Sequence, residues 1–385
     1  MNPRWDAIVV GARVAGAATA MLLARSGMRV LCVDRAREGS DTVSTHALMR
    51  AGVLQLARWD LLDAIREAGT PPVRRILFTY GDEQIPVAVR PSSGVDALYA
   101  PRRTVLDPIL SGAAAEAGAT VRYGTPVTDL LHGLDGRITG VVLRDRDGRR
   151  HEESAPLVIG ADGRASLVAD RVAAPVRFAG TAATDVVYGY VAPLPVGGYV
   201  WSYRPGVSMG AIPTNDGLTC VFAGGPPELV RPLVRARGPE SALRVLAAPG
   251  PLGPALREAR RVGRIRHVAG TPGQLRTPHG PGWALVGDAG YWKDPLSTHG
   301  MTAALRDAEL LARAVLRAPR PGPAQTDALV DYAACRDALS LPMLRIVERI
   351  AAHDWDLPTI RQLLLEMSST MADEVAFLED LATAA

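Results

Sequence analysis

Lys293 is the single lysine of a chain with 43 basic residues, and it stands in GDAGYWKDPLSTHGM at 287–301, a stretch dense in groups that can do chemistry. Lysine is a compact charge with three donors, suited to holding an anion, and burial beside an anion keeps it charged. His299 in the same stretch and His46 in DTVSTHALM at 41–49 titrate closest to neutrality, which makes them candidate proton donors or acceptors. Asp34, Asp162 and Asp288 each stand at the end of a short apolar run, beside a turn, where a carboxylate can accept from ligand hydroxyls.

Three segments must position these groups. DAIVVGARVAGAATAMLLARSGMRVLCVDR at 6–35 reads as a β-α-β unit: a buried strand over 7–10, a turn over 11–16, a helix of small residues over 17–26 closed by Gly27, and a second strand over 30–33 ending at Asp34. It carries a dinucleotide fingerprint in which Gly11 permits the tight turn, Gly16 lets the helix approach the strand, and Arg13 replaces the second glycine. The helix amides would then face a pyrophosphate, and Asp34 would accept from the ribose. LVIGADGRASLVA at 157–169 repeats strand, turn and helix, and so does GWALVGDAGYWKDPLSTHGMTAALRDAELLARAV at 282–315, whose helix is expected to begin near Met301. That helix presents unpaired amides and a positive dipole end to whatever lies before it.

The rest of the chain bounds the problem. Its length suits roughly two domains, and 48% apolar with 22% charged residues is ordinary for a globular protein. A net charge of +3 without long basic runs gives no electrostatic case for nucleic acid. Cys32, Cys220 and Cys335 are odd in number and widely spaced, so neither a disulfide framework nor a metal site is expected, which fits a reducing cytoplasm. No apolar run approaches a membrane span, and the small apolar residues over 14–24 fit the β-α-β unit better than a signal peptide.

The order of these strand ends, with GARVAG at 11–16, RRTVLD at 102–107, GADG at 160–163, GDAGYWKDP at 287–295 and THGM at 298–301, resembles the FAD-dependent monooxygenases of the aromatic-hydroxylase, glutathione-reductase-like fold. Geranylgeranyl reductases and flavin halogenases are relatives of that family. The resemblance spans nearly the whole chain and implies an α/β fold: a Rossmann-like FAD-binding domain, an interleaved β-sheet substrate domain and C-terminal helices. The expected FAD-binding domain is discontinuous, over 1–72, 97–171 and 265–323; the substrate sheet takes 73–96 and 172–264, and 324–385 is a helical segment. Asp135-Gly136 and Asp147-Gly148 mark hairpins, strands are expected over 186–191, 199–203 and 218–223, and 243–261 reads as a helix interrupted over 249–254.

Carried over by position, the resemblance implies non-covalent FAD with Gly11, Ala12, Arg13, Ala15 and Gly16 around the pyrophosphate, and Asp34 and Arg35 on the ribose and adenine side. Arg103 reaches a phosphate or ribose, and Val127 lies against adenine. Asp162 and Gly163 back the first motif and the approach of NAD(P)H, a transient co-substrate. Gly287 and Asp288 meet the ribityl chain or a phosphate, while Pro295, Gly300 and Met301 line the flavin ring. His46 is either a loop residue at a helix start or phosphate, or a proton-transfer group; His299 sits beside the flavin; Lys293 holds the loop or an anionic substrate or flavin. Trp201, Tyr203 and Met209 form part of the substrate pocket or the core of the sheet. The implied reaction is insertion of one atom of dioxygen, through a flavin C4a-hydroperoxide, into a hydrophobic, aromatic or polyketide-like substrate of secondary metabolism. The alternatives are a flavin-dependent reductase or dehydrogenase of a C=C or C–C bond, and a non-redox FAD-bound scaffold for binding or cyclisation. A halogenase is disfavoured because WSYRPGVSMGAIP at 201–213 only loosely echoes the W-x-W-x-I-P stretch.

Overall fold

The computed structural model describes residues 4–145 and 147–383. The outer bounds expected for the first and last segments, residues 1 and 385, lie outside the described residues. Four buried apolar runs, Trp283–Leu285, Val158–Gly160, Ala7–Val10 and Val30–Asp34, lie side by side in parallel, with Thr120–Tyr123 at one edge and the antiparallel His279–Gly280 at the other. Parallel strands covered on both faces read as continuous apolar segments, which is why these runs stand out in the sequence. Because they run the same way, their carboxyl ends, and the motifs that follow them, share one edge of the sheet.

The Val14–Arg25 helix packs between this sheet and the Arg103–Glu116 and Gly300–Arg317 helices. Its small residues allow the approach: a Cβ on Gly16 would lie 1.7 Å from the Gly11 carbonyl oxygen. It begins at Val14, three residues before the expected start, because Arg13 already has the extended backbone of a cap residue.

A seven-stranded sheet runs in the order Arg260–Val268, Asp185–Ala192, Thr219–Gly225, Val207–Pro213, Tyr199–Arg204, Arg75–Tyr80, Glu83–Ala88. The expected hairpins form a separate meander of Val127–His132, Ile138–Arg144 and Arg150–Ser154. The helix expected over 243–261 with an interruption over 249–254 forms as far as Glu258, after which the chain turns into a strand. A helix runs Pro227–Ala247 with a break at Gly238, where φ is +75° before Pro239; a short helix follows over Gly253–Glu258; and Arg260 opens an edge strand. Arginines along that exposed edge mask its alternation, as charges on sheet edges do.

The Pro323–Ala351 helix packs on Gly300–Arg317, and Leu357–Thr383 packs in turn on Pro323–Ala351 and on the Arg50–Arg58 helix, so the C-terminal helices reach both the six-stranded sheet, at His279–Gly280, and the seven-stranded sheet, at Tyr199–Arg204. No helix among the described residues is long and apolar enough to cross a membrane.

Candidate active site

A cavity of about 590 Å³ follows the shared strand edge from Asp34 and Val127 to Pro295, Gly300 and Met301. Its size falls within the range of roughly 300–1,000 Å³ common for cofactor sites. At the first end, Gly11 has φ +106°, and a Cβ there would sit 2.4 Å from the Ala161 carbonyl oxygen, so only glycine lets the two turns touch. Asp34 is buried and accepts from the Ala12 amide at 2.8 Å and the Ala36 amide at 2.7 Å. A carboxylate has about four acceptor sites, so two remain for hydroxyls.

No side chain caps the Val14–Arg25 helix and no acidic residue stands in its first turn. Arg13 Nη2 lies 3.4 Å from Ser40 Oγ, while its Nη1 is buried without a partner among the described residues. An uncapped helix start beside an orphaned guanidinium nitrogen fits a pyrophosphate. Arg35 and Val127 also line this end.

Arg103 lines the cavity while clamped by Asp107 in a two-point pair at 2.8 and 2.9 Å, the i,i+4 geometry that gives the R-x-x-L-D spacing its meaning. Asp162 faces the cavity too, but its carboxylate caps the Leu167–Arg171 helix, accepting from Ser166 Oγ at 2.5 Å and the Leu167 amide at 2.6 Å. Burial pushes its carboxyl up despite those donors. Gly163 and Arg164 continue the wall, with Arg164 stacked 4.9 Å over Trp292.

The opposite end holds the strongest electrostatics. Asp288 lines the cavity, and burial pushes its carboxyl up to about 6 against the opposing pull of Lys293 and Arg103. Lys293 is 4% exposed, with Nζ 4.2 Å above the Tyr291 ring, and makes no hydrogen bond or ion pair among the described residues. Burial, then Arg306, lowers its ammonium to about 8, while Asp288, Glu374 and Asp307 work the other way. Asp294 accepts from Leu296 at 3.0 Å and from Thr184 at 2.8 Å, which ties the loop to the seven-stranded sheet. Beyond it, Gly300–Arg317 begins with no side-chain cap and no acid in its first turn. A Cβ on Gly300 would meet nothing within 4 Å, since the residue borders the cavity. These features fit a flavin ring, whose reduced form carries negative charge.

Other expected residues do not reach the cavity wall. Ala12 and Gly16 act through the backbone behind it, and Gly287, at φ +60°, packs where a Cβ would come within 2.8 Å of Ala15 Cβ. Ala15 itself lines the wall. His46 is fully buried behind Ser44, Thr45 and Ala47, hydrogen-bonded through Nε2 to the Tyr190 hydroxyl and stacked on that ring at 5.6 Å. Burial, helped by Arg103 and Arg102, lowers it to about 3, so it is neutral at physiological pH. His299 turns to Glu374, with Nε2 2.7 Å from Oε2.

Trp201 and Tyr203 pack in an aromatic core with Tyr199, Phe222 and Trp355. Met209 packs on the other face of the sheet, against the Pro227–Ala247 helix. The reason is register: Met209 pairs with Ser202 and Gly210 with Trp201, so the period of two separates them. The two-residue turn at Pro205-Gly206 carries that information in the sequence. Sequence reasoning did not single out Val186, Tyr188, Val268 and Trp292, which line the cavity in place of those three. Val186 and Tyr188 show there as alternate residues of one strand.

The FAD binding domain family matches residues 4–218, more than half of the chain. The chain belongs to that family. Curated relatives that it matches are named as an epoxidase and a monooxygenase on one side and as reductases on the other. Squalene epoxidase 3 of Arabidopsis thaliana is 28% identical over 80% of this chain and 59% of its own length. Digeranylgeranylglycerophospholipid reductase of Methanothrix thermoacetophila is 27% identical over 86% of this chain and 82% of its own. The chain spans about half the length of the curated relatives it matches first. Among solved structures, PqsL of Pseudomonas aeruginosa, a probable FAD-dependent monooxygenase, aligns with TM-score 0.81 at 21% identity, covering 94% of this chain and 99% of that one. At that identity the likeness is one of fold.

Proposed function

We propose that this flavoprotein is a monooxygenase: reduced by NAD(P)H, it inserts one atom of dioxygen into a hydrophobic, aromatic or polyketide-like substrate. The observation that carries the reading is the change of character along one cavity. Its Asp34 end is ringed by amides and arginines, whereas its Met301 end meets the apolar wall of Val186, Tyr188 and Val268 from the seven-stranded sheet. FAD would be held with its pyrophosphate at Arg13 and the Val14–Arg25 helix, its ribose at Asp34 and its ring at Pro295, Gly300 and Met301.

Bound flavin supplies the chemistry of accepting hydride and reacting with dioxygen. The chain supplies electrostatics and shielding. The start of Gly300–Arg317 and the Lys293 ammonium both favour negative charge where the ring would lie. Asp288, whose carboxyl burial lifts to about 6, is still mostly ionised at pH 7, and Lys293 and Arg103 offset its charge at this end of the cavity. Val186, Tyr188 and Val268 exclude water from the reacting face. Gly163 and Arg164 border the route by which a nicotinamide would approach.

The test is reduction of purified protein by NAD(P)H without oxygen, then exposure to labelled dioxygen while substrates are screened. Label in the product supports the monooxygenase. Unlabelled product formed stoichiometrically without oxygen points instead to the reductase reading that the archaeal relative favours. Turnover with flavin that stays oxidised would leave only the scaffold.

A further inference from the structure

Beside the flavin-facing loop, outside the cavity lining, lies a buried charged cluster drawn from four elements. Glu374, on the Leu357–Thr383 helix, is 2% exposed. Its Oε1 accepts from Arg306 Nη1 at 3.0 Å, and its Oε2 lies 2.7 Å from His299 Nε2, close but without the alignment of a hydrogen bond. Arg306 also donates to Asp307 Oδ1 at 2.9 and 2.6 Å and to Ser340 Oγ at 2.7 Å. The Ser340 carbonyl accepts from the Tyr291 hydroxyl at 3.2 Å. Arg306 Cζ and Lys293 Nζ lie 5.7 and 4.2 Å from the centre of the same Tyr291 ring.

Position gives this cluster a function. His299 stands at the N-cap position of the Gly300–Arg317 helix, without capping it through its side chain, and Arg306 stands about two turns further on, so both present to one side, where a single carboxylate lies between them. We propose that Glu374 is a positioning residue for the flavin end of the cavity: its bridge from His299 to Arg306 sets the start of the Gly300–Arg317 helix, and its negative charge steadies the Lys293 ammonium. The flavin part rests on the reading of this end given above.

The charges around Lys293 favour that role. Asp288, Asp307 and Glu374 stabilise the ammonium, while Arg306 opposes it, His299 lies among them and the Tyr291 ring sits beneath. Burial works to raise the Glu374 carboxyl, but His299 and then Arg306, which donates to it at 3.0 Å, outweigh it and hold it low, at about 2. His299 is lowered, chiefly by burial. With Glu374 neutral, Arg306 would keep only Asp307 as its carboxylate partner, and its charge would act on Lys293 with less opposition.

The chain has one lysine, so protein grown on ε-¹³C-lysine carries one side-chain reporter. Its NMR titration, recorded on FAD-loaded and deflavinated protein, reads the protonation of Lys293 directly. Glu374→Gln should move the midpoint down by about half a pH unit or more. Glu366→Gln is the control, on the same helix but with a more exposed carboxylate 3.2 Å from Arg349, and should leave the midpoint in place. Glu374→Asp, which keeps the charge and shortens the reach, should shift the midpoint by less and serves alone if Glu374→Gln does not fold. A midpoint equal to wild type in every folded Glu374 variant, or moved as far by Glu366→Gln, overturns the proposal. If Glu374 variants move the signal but FAD loading leaves it unchanged, the flavin reading fails while the hold of Glu374 on Lys293 stands.

Discussion

Replacing Lys293 with methionine should make the FAD-free protein more stable at neutral pH while impairing its function. The side chain is 4% exposed and forms no ion pair among the described residues, and burial brings its ammonium from the ordinary 10.5 to about 8. At about 1.36 kcal/mol per pH unit, that difference corresponds to roughly 3 kcal/mol for holding the charge in the fold. Methionine has similar length and no charge, but its introduction takes from Asp288 the strongest of its cations and leaves it Arg103 and Arg164, so the expected net gain is about 1–3 kcal/mol at pH 7. The sign follows from linkage. With the folded-state value below the unfolded one, the cost is present in full below about 8 and is lost as pH rises toward 10.5, where the unfolded chain alone still binds the proton. The gain should therefore shrink to under about 1 kcal/mol by pH 10. Urea unfolding of both FAD-free proteins from pH 7 to pH 10 measures it. Their difference also cancels buried tyrosines such as Tyr199 and Tyr291, whose hydroxyls burial pushes up and which titrate in both proteins. An equal or lower midpoint for Lys293→Met at pH 7, or a gain undiminished at pH 10, would refute a net cost of holding this ammonium in the fold.

In turnover, Lys293→Met should lose about 1–3 kcal/mol of transition-state stabilisation, roughly 5- to 150-fold, with Lys293→Arg less affected; wild-type rates and FAD affinity in Lys293→Met would remove its electrostatic role. Purified protein should release FAD on mild denaturation, identified by mass in the supernatant, and FMN alone would remove the adenosine end assigned to Asp34. Gly16→Ala should abolish tight FAD binding and destabilise by about 2 kcal/mol or more, because a Cβ would overlap the Gly11 carbonyl at 1.7 Å; unchanged binding and urea midpoint would mean that the helix can move aside at little cost.

The sequence by itself determined the parts of this protein whose physics is local. Gly11, Asp34, Asp162 and Asp288 were legible because a buried parallel strand, the turn that ends it and the helix that follows are written within about ten residues, and parallel strands necessarily end on one edge. The β-α-β unit, the hairpins at Asp135-Gly136 and Asp147-Gly148 and the helix starting at Gly300 followed from the same short-range signals. Tertiary structure alone decided where side chains with two plausible neighbourhoods point. His46 and His299 stand within motifs that border the cavity, yet Tyr190 and Glu374, both far along the chain, draw them away from its wall. Lys293 could be recognised by its rarity, but its burial against Tyr291 depends on Arg306, Ser340 and Glu374 arriving from three helices. Local propensity fixes backbone direction over a few residues, whereas the partner of a buried charge is set by which distant elements pack together, and no spacing within a single motif encodes that.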